Sequence, residues 1–170
     1  TSNITVEGGF LENVYGGGNQ SDVLNNSTVN VSGSPLIGNN LFAGGNSGAI
    51  GTEEDNNSVA TVNVAGAKIL GNVYGGCNTS VVYGTTNVNI GVNTIEDKTL
   101  QQGNIEIAGT VFGGGESNAD GDENFDWDFI CVTTAIHVNI DGLTYLNNGY
   151  SFKLTGSIFG SGNASSSKGT

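Results

Sequence analysis

Polar and apolar residues alternate strictly in five short stretches of the chain, and most of the apolar positions are β-branched. The stretches are 3–6, 28–31, 61–64, 87–90 and 137–140. Such alternation is typical of half-buried β-strands. A glycine follows each stretch within two residues, at Gly8, Gly33, Gly66, Gly91 and Gly142. We therefore expect each strand to end in a glycine turn.

A second motif alternates with the first and predicts another strand. It consists of a strand of the form aliphatic-x-Gly-x-Val-aromatic, in which a small polar residue precedes the aliphatic and aromatic pair, and of a glycine cluster that is usually closed by Asn. The aromatic residue recurs at Tyr15, Phe42, Tyr74, Phe112 and Phe159. Short apolar runs at 23–24, 49–50, 81–83 and 129–132 then indicate a third strand in four of the five repeats.

Repeats of this length indicate a solenoid, a propeller or an array. No segment keeps the 3.6-residue period of a helix, and the shorter repeats leave no room for the four strands of a propeller blade. The pattern predicts an all-β, single-domain parallel β-helix (β-solenoid) of about five coils over residues 1–163, right-handed by the general crossover rule. Loop insertions separate some strands, and a flexible Ser/Gly-rich tail is expected over 164–170.

The Asn-Val-Tyr-Gly-Gly-Gly-Asn and Thr-Val-Asn-Val elements resemble the glycine-rich β-helix repeats of large bacterial or archaeal surface adhesins. The resemblance spans nearly the whole chain and implies a secreted or surface-anchored protein. Because the repeat starts almost at residue 1 and no leader-like segment is present there, we expect that a leader or a larger protein has been trimmed away.

Charge and hydropathy narrow the range of partners. The chain has 16 acidic residues, four lysines and no arginine, giving a net charge of −12. Nucleic acid and anionic membrane surfaces require clustered Lys or Arg, so neither partner is expected. No apolar stretch is long enough to predict a membrane span. Cys77 and Cys131 either form a disulfide or are two buried thiols, and the sequence leaves both alternatives open.

The acidic loop at 120–128 is a candidate calcium site. Oxygen-bearing side chains stand at alternate positions, and such groups can converge on Ca²⁺. They are Asp120, Asp122, Asn124, Asp126 and Asp128. The spacing resembles the start of an EF-hand loop, but Phe125 and Cys131 replace its glycine and its final glutamate. A solvated acidic loop is the alternative.

Aromatic residues are candidates for binding a surface glycan. Trp127, Tyr145 and Tyr150 lie in the long insertions and are predicted to bind a glycan together with the acidic loop; for Trp127, anchoring of its loop is the alternative. The five repeated aromatic residues form either an exposed ladder or a buried corner of the core, and the sequence does not decide between them.

Catalysis has little support, and we predict that the chain is not an enzyme. His137 is the only histidine and has no nucleophile motif around it. The resemblance to pectate-lyase-type enzymes stops at the fold, because the chain has no arginine base. No carboxylate pair is marked out as a glycosidase dyad.

These observations predict an extracellular, cell-surface, structural or adhesive solenoid. Its partners would be further copies of itself, assembled into a fibre, or a surface glycan. A carbohydrate-binding module is the alternative, followed by a glycan-active enzyme. The last alternative is an ice-binding protein. It is suggested by the regular array that the outward Thr and Asn residues of the alternating stretches would form.

Overall fold

A computed structural model describes residues 1–91, 94–95, 98–116, 130–163 and 166–167. Its strands are β1 (Ser2–Val6), β2 (Phe10–Leu11), β3 (Val14–Tyr15), β4 (Ser27–Val31), β5 (Leu36–Ile37), β6 (Leu41–Phe42), β7 (Ser58–Val64), β8 (Ala67–Ile69), β9 (Val73–Tyr74), β10 (Gly84–Ile90), β11 (Thr94–Ile95), β12 (Lys98–Thr99), β13 (Ile105–Ile107), β14 (Val111–Phe112), β15 (Ile130–Val132), β16 (Ala135–Ile140), β17 (Phe152–Leu154), β18 (Ile158–Phe159) and β19 (Ser166–Ser167). Between β16 and β17 the chain forms one helix, α1 (Gly142–Asn147).

Three five-stranded sheets form the walls of a parallel β-helix, which confirms the predicted fold class. Sheet 1 has the order β1-β4-β7-β10-β16, sheet 2 has β2-β5-β8-β13-β17 and sheet 3 has β3-β6-β9-β14-β18. Neighbouring strands in all three sheets are parallel. Each coil contributes one strand to each sheet, so we number the coils 1 to 5 along the chain.

The apolar residues of sheet 1 face inward, as the alternation predicts. Val29, Val62 and Val88 are opposite one another in successive coils and are fully buried. A fourth side of the coil is closed by single parallel bridges that join Val23, Ile50, Val82 and Val132 in turn. The predicted third strand is therefore a ladder of single residues in coils 1 to 3. In the predicted tail, β19 pairs with β15, and the rest of 164–170 lies outside the described residues.

The second motif, predicted as one strand, forms two strands in two different sheets. The chain turns a corner in the middle of the motif. At this corner an asparagine side-chain oxygen, and not a backbone carbonyl, accepts the hydrogen bond from the neighbouring coil. The backbone N–H of Asn72 donates to Asn40 Oδ1 at 2.8 Å, and the N–H of Thr110 donates to Asn72 Oδ1 at 2.8 Å. An asparagine in this position can therefore hold the next coil while the chain changes direction.

The glycines after sheet 1 serve two different purposes. Gly33 and Gly91 have φ angles of 72° and 89°, so they provide the predicted turn geometry. Gly66 lies instead where two backbones meet, because a Cβ there would be 2.7 Å from the backbone nitrogen of Gly103 and would overlap the carbonyl oxygen of Gly33. The turn explanation is therefore wrong for Gly66.

The repeated glycine clusters allow adjacent coils to approach closely. The N–H groups of Gly17, Gly44 and Gly76 each donate to a glycine carbonyl in the next coil, at 3.1 Å in every case. A Cβ on Gly76 would lie 2.6 Å from the backbone nitrogen of Gly115. A side chain at this position would push two coils apart.

Helix α1 replaces part of an insertion that the sequence predicts only as a loop. Asp141 caps its first turn by accepting a hydrogen bond from the N–H of Thr144 at 3.0 Å. Tyr145 on this helix is completely buried. None of the helices in the described part of the chain is long and apolar enough to cross a membrane.

We expect Gly76→Ala to lower the free energy of unfolding by about 1–3 kcal/mol, because the new methyl group overlaps the next coil. Urea denaturation followed by circular dichroism measures the change. Gly8→Ala is the matched control, since a Cβ there meets nothing within 4 Å. A loss of stability in the control as large as that in Gly76→Ala would contradict close approach as the reason for the cluster.

Candidate functional site

The predicted calcium ligands and one predicted glycan contact lie outside the described residues. These residues are Asp120, Asp122, Asn124, Asp126, Asp128 and Trp127. Their roles stay predictions. Within the ranges that the structure describes, no three or more His, Cys, Asp or Glu side chains are grouped so that they could hold a metal ion.

Tyr145 and Tyr150 are brought together by α1. Their ring centroids are 6.0 Å apart, and Tyr145 also meets Phe152 edge-on at 5.9 Å. The Tyr145 hydroxyl donates to the carbonyl oxygen of Ala65. Because Tyr145 is fully buried, it has no ring face for a sugar, and its predicted place in a glycan-binding surface is wrong. It anchors the insertion, whereas Tyr150 is partly exposed.

The five repeated aromatic residues form one continuous stack along sheet 3. Successive ring centroids are 5.0, 4.6, 5.0 and 5.4 Å apart, and the interplanar angles do not exceed 13°. The stack runs through Tyr15, Phe42, Tyr74, Phe112 and Phe159 in that order. This spacing is close to the separation of parallel strands, so the rings follow the coil repeat.

The middle of this aromatic stack is buried and its ends are not. Phe42, Tyr74 and Phe112 are 1%, 0% and 8% exposed and form a second hydrophobic cluster. Tyr15 is partly exposed and Phe159 is 50% exposed. The stack is therefore a buried corner over most of its length, and only its last ring on each end meets solvent.

A polar rim surrounds the hydroxyl group of Tyr74. Asn72 Nδ2 donates to this hydroxyl at 3.0 Å, and the side chains of Glu116 and Asn163 also interact with it. Burial raises the pKa of Tyr74 to about 12; the hydrogen bond from Asn72 opposes this shift, and the negative charge of Glu116 adds to it. The phenol is thus a neutral hydrogen-bonding group at any ordinary pH.

Glu116 stands in a position that asparagine occupies in other coils. Asn46 Nδ2 donates to Asn19 Oδ1, and Asn78 Nδ2 donates to Asn46 Oδ1, both at 2.7 Å. Glu116 and Asn163 continue this row by a parallel bridge. Sequence reasoning missed Glu116, although the replacement of the closing Asn by Glu in one repeat is a signal that could have found it.

A second amide ladder runs along the outer face of sheet 1. Hydrogen bonds of 2.8–2.9 Å join Asn30, Asn63, Asn89 and Asn139, each Nδ2 donating to the Oδ1 of the preceding coil. Asn63 is only 1% exposed. Asn30 and Asn63 of the predicted Thr/Asn array are therefore buried, whereas Asn139 is exposed. Ice binding stays a prediction.

A charge ladder crosses the outer face of sheet 2. The Glu106 carboxylate lies 3.0 Å from Lys68 Nζ and 3.6 Å from Lys153 Nζ, and these three residues are opposite one another in coils 3, 4 and 5. The hydrogen bond and charge of Lys68, followed by those of Lys153, lower the pKa of Glu106. This carboxylate is thus engaged in holding coils together.

The structure places Cys77 in the core and His137 on the surface. Cys77 is buried, with its Sγ 3.5 Å from the carbonyl oxygen of Val81 and 3.7 Å from that of Gly48. The side chain of Cys131 is outside the described part, so the pairing of the two cysteines stays open. His137 is exposed on β16, opposite Asn87 of the preceding coil.

The two ends of the solenoid expose apolar side chains and strand edges. Within the described part of the chain, the first and last strands of each of the three sheets pair with one neighbouring strand. Ile158 and Phe159 in coil 5 are 51% and 50% exposed, and Phe10 in coil 1 is 70% exposed. Unpaired strand edges readily accept another strand.

Comparison of the chain with family models, curated proteins and solved structures finds no match. The resemblance to surface adhesins therefore stays a prediction.

We expect Tyr74 and Tyr145 to ionise near pH 12 in the folded chain, against 10.0 for an ordinary tyrosine, because burial disfavours the phenolate in both. A raised pKa stabilises the fold fully below pH 10, and this stabilisation is lost as the pH rises towards 12. Tyrosinate absorbance during an alkaline titration measures the ionisation. Tyr74→Phe and Tyr145→Phe should each remove one late-titrating group. A titration curve that keeps both late-titrating groups in either variant would contradict this.

We expect Asn63→Asp to lower the free energy of unfolding by about 1–3 kcal/mol, because a buried carboxylate cannot donate to Asn30 Oδ1. Thermal and urea unfolding at neutral pH provide the measurement. Asn3→Asp, at an exposed position of β1, makes the same change in charge outside the ladder. Equal effects of the two substitutions would mean that the ladder does not stabilise the fold.

Proposed function

We propose that the chain is a non-catalytic, extracellular β-solenoid with a structural or adhesive role. The observation that carries this proposal is the use of side chains on every wall for contacts between coils. Amides do so on sheet 1, charges on sheet 2 and stacked rings on sheet 3. A solenoid built in this way is a stiff rod, because each coil is fixed to its neighbours on all sides.

Three of the described carboxylates are engaged in structural contacts, which makes them poor candidates for glycosidase catalysis. Glu106 pairs with two lysines, and Asp141 caps α1. Glu116 interacts with a buried phenol whose raised pKa makes it a poor proton donor or acceptor near neutral pH. A pair of carboxylates with separated pKa values would be needed for acid–base catalysis.

An extracellular location fits the surface chemistry of the chain. The chain has 16 acidic residues and four lysines, and this net negative charge keeps a repeat protein soluble and disfavours binding to nucleic acid. The predicted resemblance to surface adhesins points in the same direction. The cell-surface assignment rests on these two arguments.

A panel of polysaccharides, assayed for release of reducing ends and for saturable binding, tests the structural proposal. We expect neither turnover nor binding by the purified chain, with or without EDTA. Turnover that depends on a carboxylate would replace the proposal by a glycan-active enzyme. Added Ca²⁺, followed by calorimetry and by thermal unfolding, tests the acidic loop separately, with Asp126→Asn as the variant and Asp55→Asn as its control.

A carbohydrate-binding module is the second candidate, favoured by the partly exposed ring of Tyr150 beside the long insertions. Saturable glycan binding that is lost in Trp127→Ala or Tyr150→Ala would establish it. Phe10→Ala is the matched control, because Phe10 is an exposed aromatic residue on coil 1. Loss of binding in the control as well would indicate unspecific adsorption to aromatic side chains.

A further inference from the structure

We propose that the insertions of coils 4 and 5 form a clamp that couples coils which are not neighbours. The clamp consists of residues 101–104 of coil 4 and residues 145–151 of coil 5, which lie at the corner between sheets 1 and 2. In a simple solenoid each coil contacts only the coils next to it. Contacts that pass over a coil add a restraint that the repeat itself does not supply. The clamp would serve a structural rod and an enzyme equally, so it stands apart from the proposed function.

The first contact of the clamp joins coil 2 to coil 4. The backbone N–H of Gly33 in coil 2 donates to the carbonyl oxygen of Gln101 in coil 4 at 2.9 Å. Coil 3 allows this contact because its chain is short at the corner. Only Ala65 and Gly66 connect β7 to β8, whereas residues 32–35 connect β4 to β5. The insertion of coil 4 can therefore reach across coil 3.

Glycine backbones meet where the insertion crosses coil 3. A Cβ on Gly103 would overlap the carbonyl oxygen of Gly33, although the two residues belong to coils 4 and 2. Gly66 of coil 3 is close to both, since a Cβ there would overlap the same carbonyl oxygen and lie 2.7 Å from the backbone nitrogen of Gly103. Three successive coils therefore pack on one another at this point through their backbones, and the contact between coils 2 and 4 is direct.

The second contact of the clamp joins coil 3 to coil 5. The hydroxyl group of Tyr145 donates to the carbonyl oxygen of Ala65. The same oxygen accepts a hydrogen bond from the N–H of Gly103 at 2.9 Å, so coils 4 and 5 both bond to one carbonyl group of coil 3. The ring of Tyr145 is fully buried and belongs to the main hydrophobic core. Because burial fixes the ring, the hydroxyl group is held on the earlier coil.

The two insertions are also joined to each other. Asn148 Nδ2 donates to Gln102 Oε1 at 3.3 Å, and the N–H of Ser151 donates to Asn104 Oδ1 at 2.9 Å. Both hydrogen bonds run from coil 5 to coil 4. A continuous set of contacts thus leads from α1 through the insertion of coil 4 to Gly33 in coil 2. Loosening of α1 should therefore loosen the corner of coil 2 as well.

The fourth side of the coil offers an internal comparison. There, parallel bridges run from one coil to the next. The N–H of Ile50 donates to Val81 and the N–H of Tyr83 donates to Ile50, so these two amides report on contacts between the neighbouring coils 2 and 3. Parts of a protein that open together share their protection against hydrogen exchange. The clamp predicts that amides at the corner between sheets 1 and 2 respond together to a change in α1, and that those of the fourth side do not.

Native-state hydrogen exchange of the full chain, resolved by NMR, tests the clamp. Tyr145→Phe removes one hydroxyl group and leaves the ring in place. We expect it to speed exchange at the N–H of Gly33 and at that of Gly103 by about three- to tenfold, the usual effect of losing one buried hydrogen bond. The N–H groups of Ile50 and Tyr83 should keep their rates.

Two further substitutions serve as controls. Gly103→Ala should push the insertion away from coil 2 and speed exchange at Gly33 by about tenfold or more, because the new methyl group overlaps the backbone. Asn139→Ala removes a side-chain hydrogen bond from coil 5 to Asn89 in the neighbouring coil 4, and it should leave the rate at Gly33 unchanged. A rate at Gly33 that rises as much in Asn139→Ala as in Tyr145→Phe would contradict a specific role of the clamp.

Faster exchange at Gly103 in Tyr145→Phe with an unchanged rate at Gly33 would overturn the clamp, because the effect would then stop at the neighbouring coil. An equal increase at Ile50 and Tyr83 would overturn it as well, because the whole chain would then open as one unit. So would a rate at Gly33 that does not change in Gly103→Ala. Circular dichroism of each variant ensures that it is folded. Turnover or binding of a glycan by the chain would reject the proposed function and leave the clamp standing.

Discussion

The backbone hydrogen bonds between coils fix the distance at which every side chain meets its counterpart, and the rest of the structure depends on this distance. Parallel strands lie about 4.8 Å apart, so residues in equivalent positions are in contact all along the molecule. Side chains that pack on copies of themselves suit such a geometry. Valine on valine, ring on ring and amide on amide all do so, as Val62 on Val29, Tyr74 on Phe42 and Asn63 on Asn30 illustrate.

Glycine satisfies the same constraint where backbones come closer still. Gly44 and Gly76 occupy the corner at which successive coils bond through their main chains, and there is no room for a Cβ. The charge ladder around Glu106 follows the same constraint with unlike residues. Like charges repel at this distance, so lysine and glutamate alternate from coil to coil. The sequence motifs therefore recur because equivalent positions in successive coils are subject to the same spacing.

Because the walls are occupied by contacts between coils, new interactions are expected mainly where a residue departs from the repeat. Glu116 is such a residue, since it brings a negative charge into a row of amides next to a buried phenol.

The sequence by itself determined the class of fold, the five coils and the inward direction of the alternating valines, because a period of two and a repeated motif leave few other solutions. It did not determine that the second motif bends at Asn72, that Gly66 serves close approach, or that Tyr145 is buried under Ala65. Those features depend on which backbone lies in the neighbouring coil, and this is set by residues about 30 to 80 positions away in the chain. The burial of the aromatic stack was likewise decided by tertiary structure, because alternation predicts which way a side chain points but not what covers it.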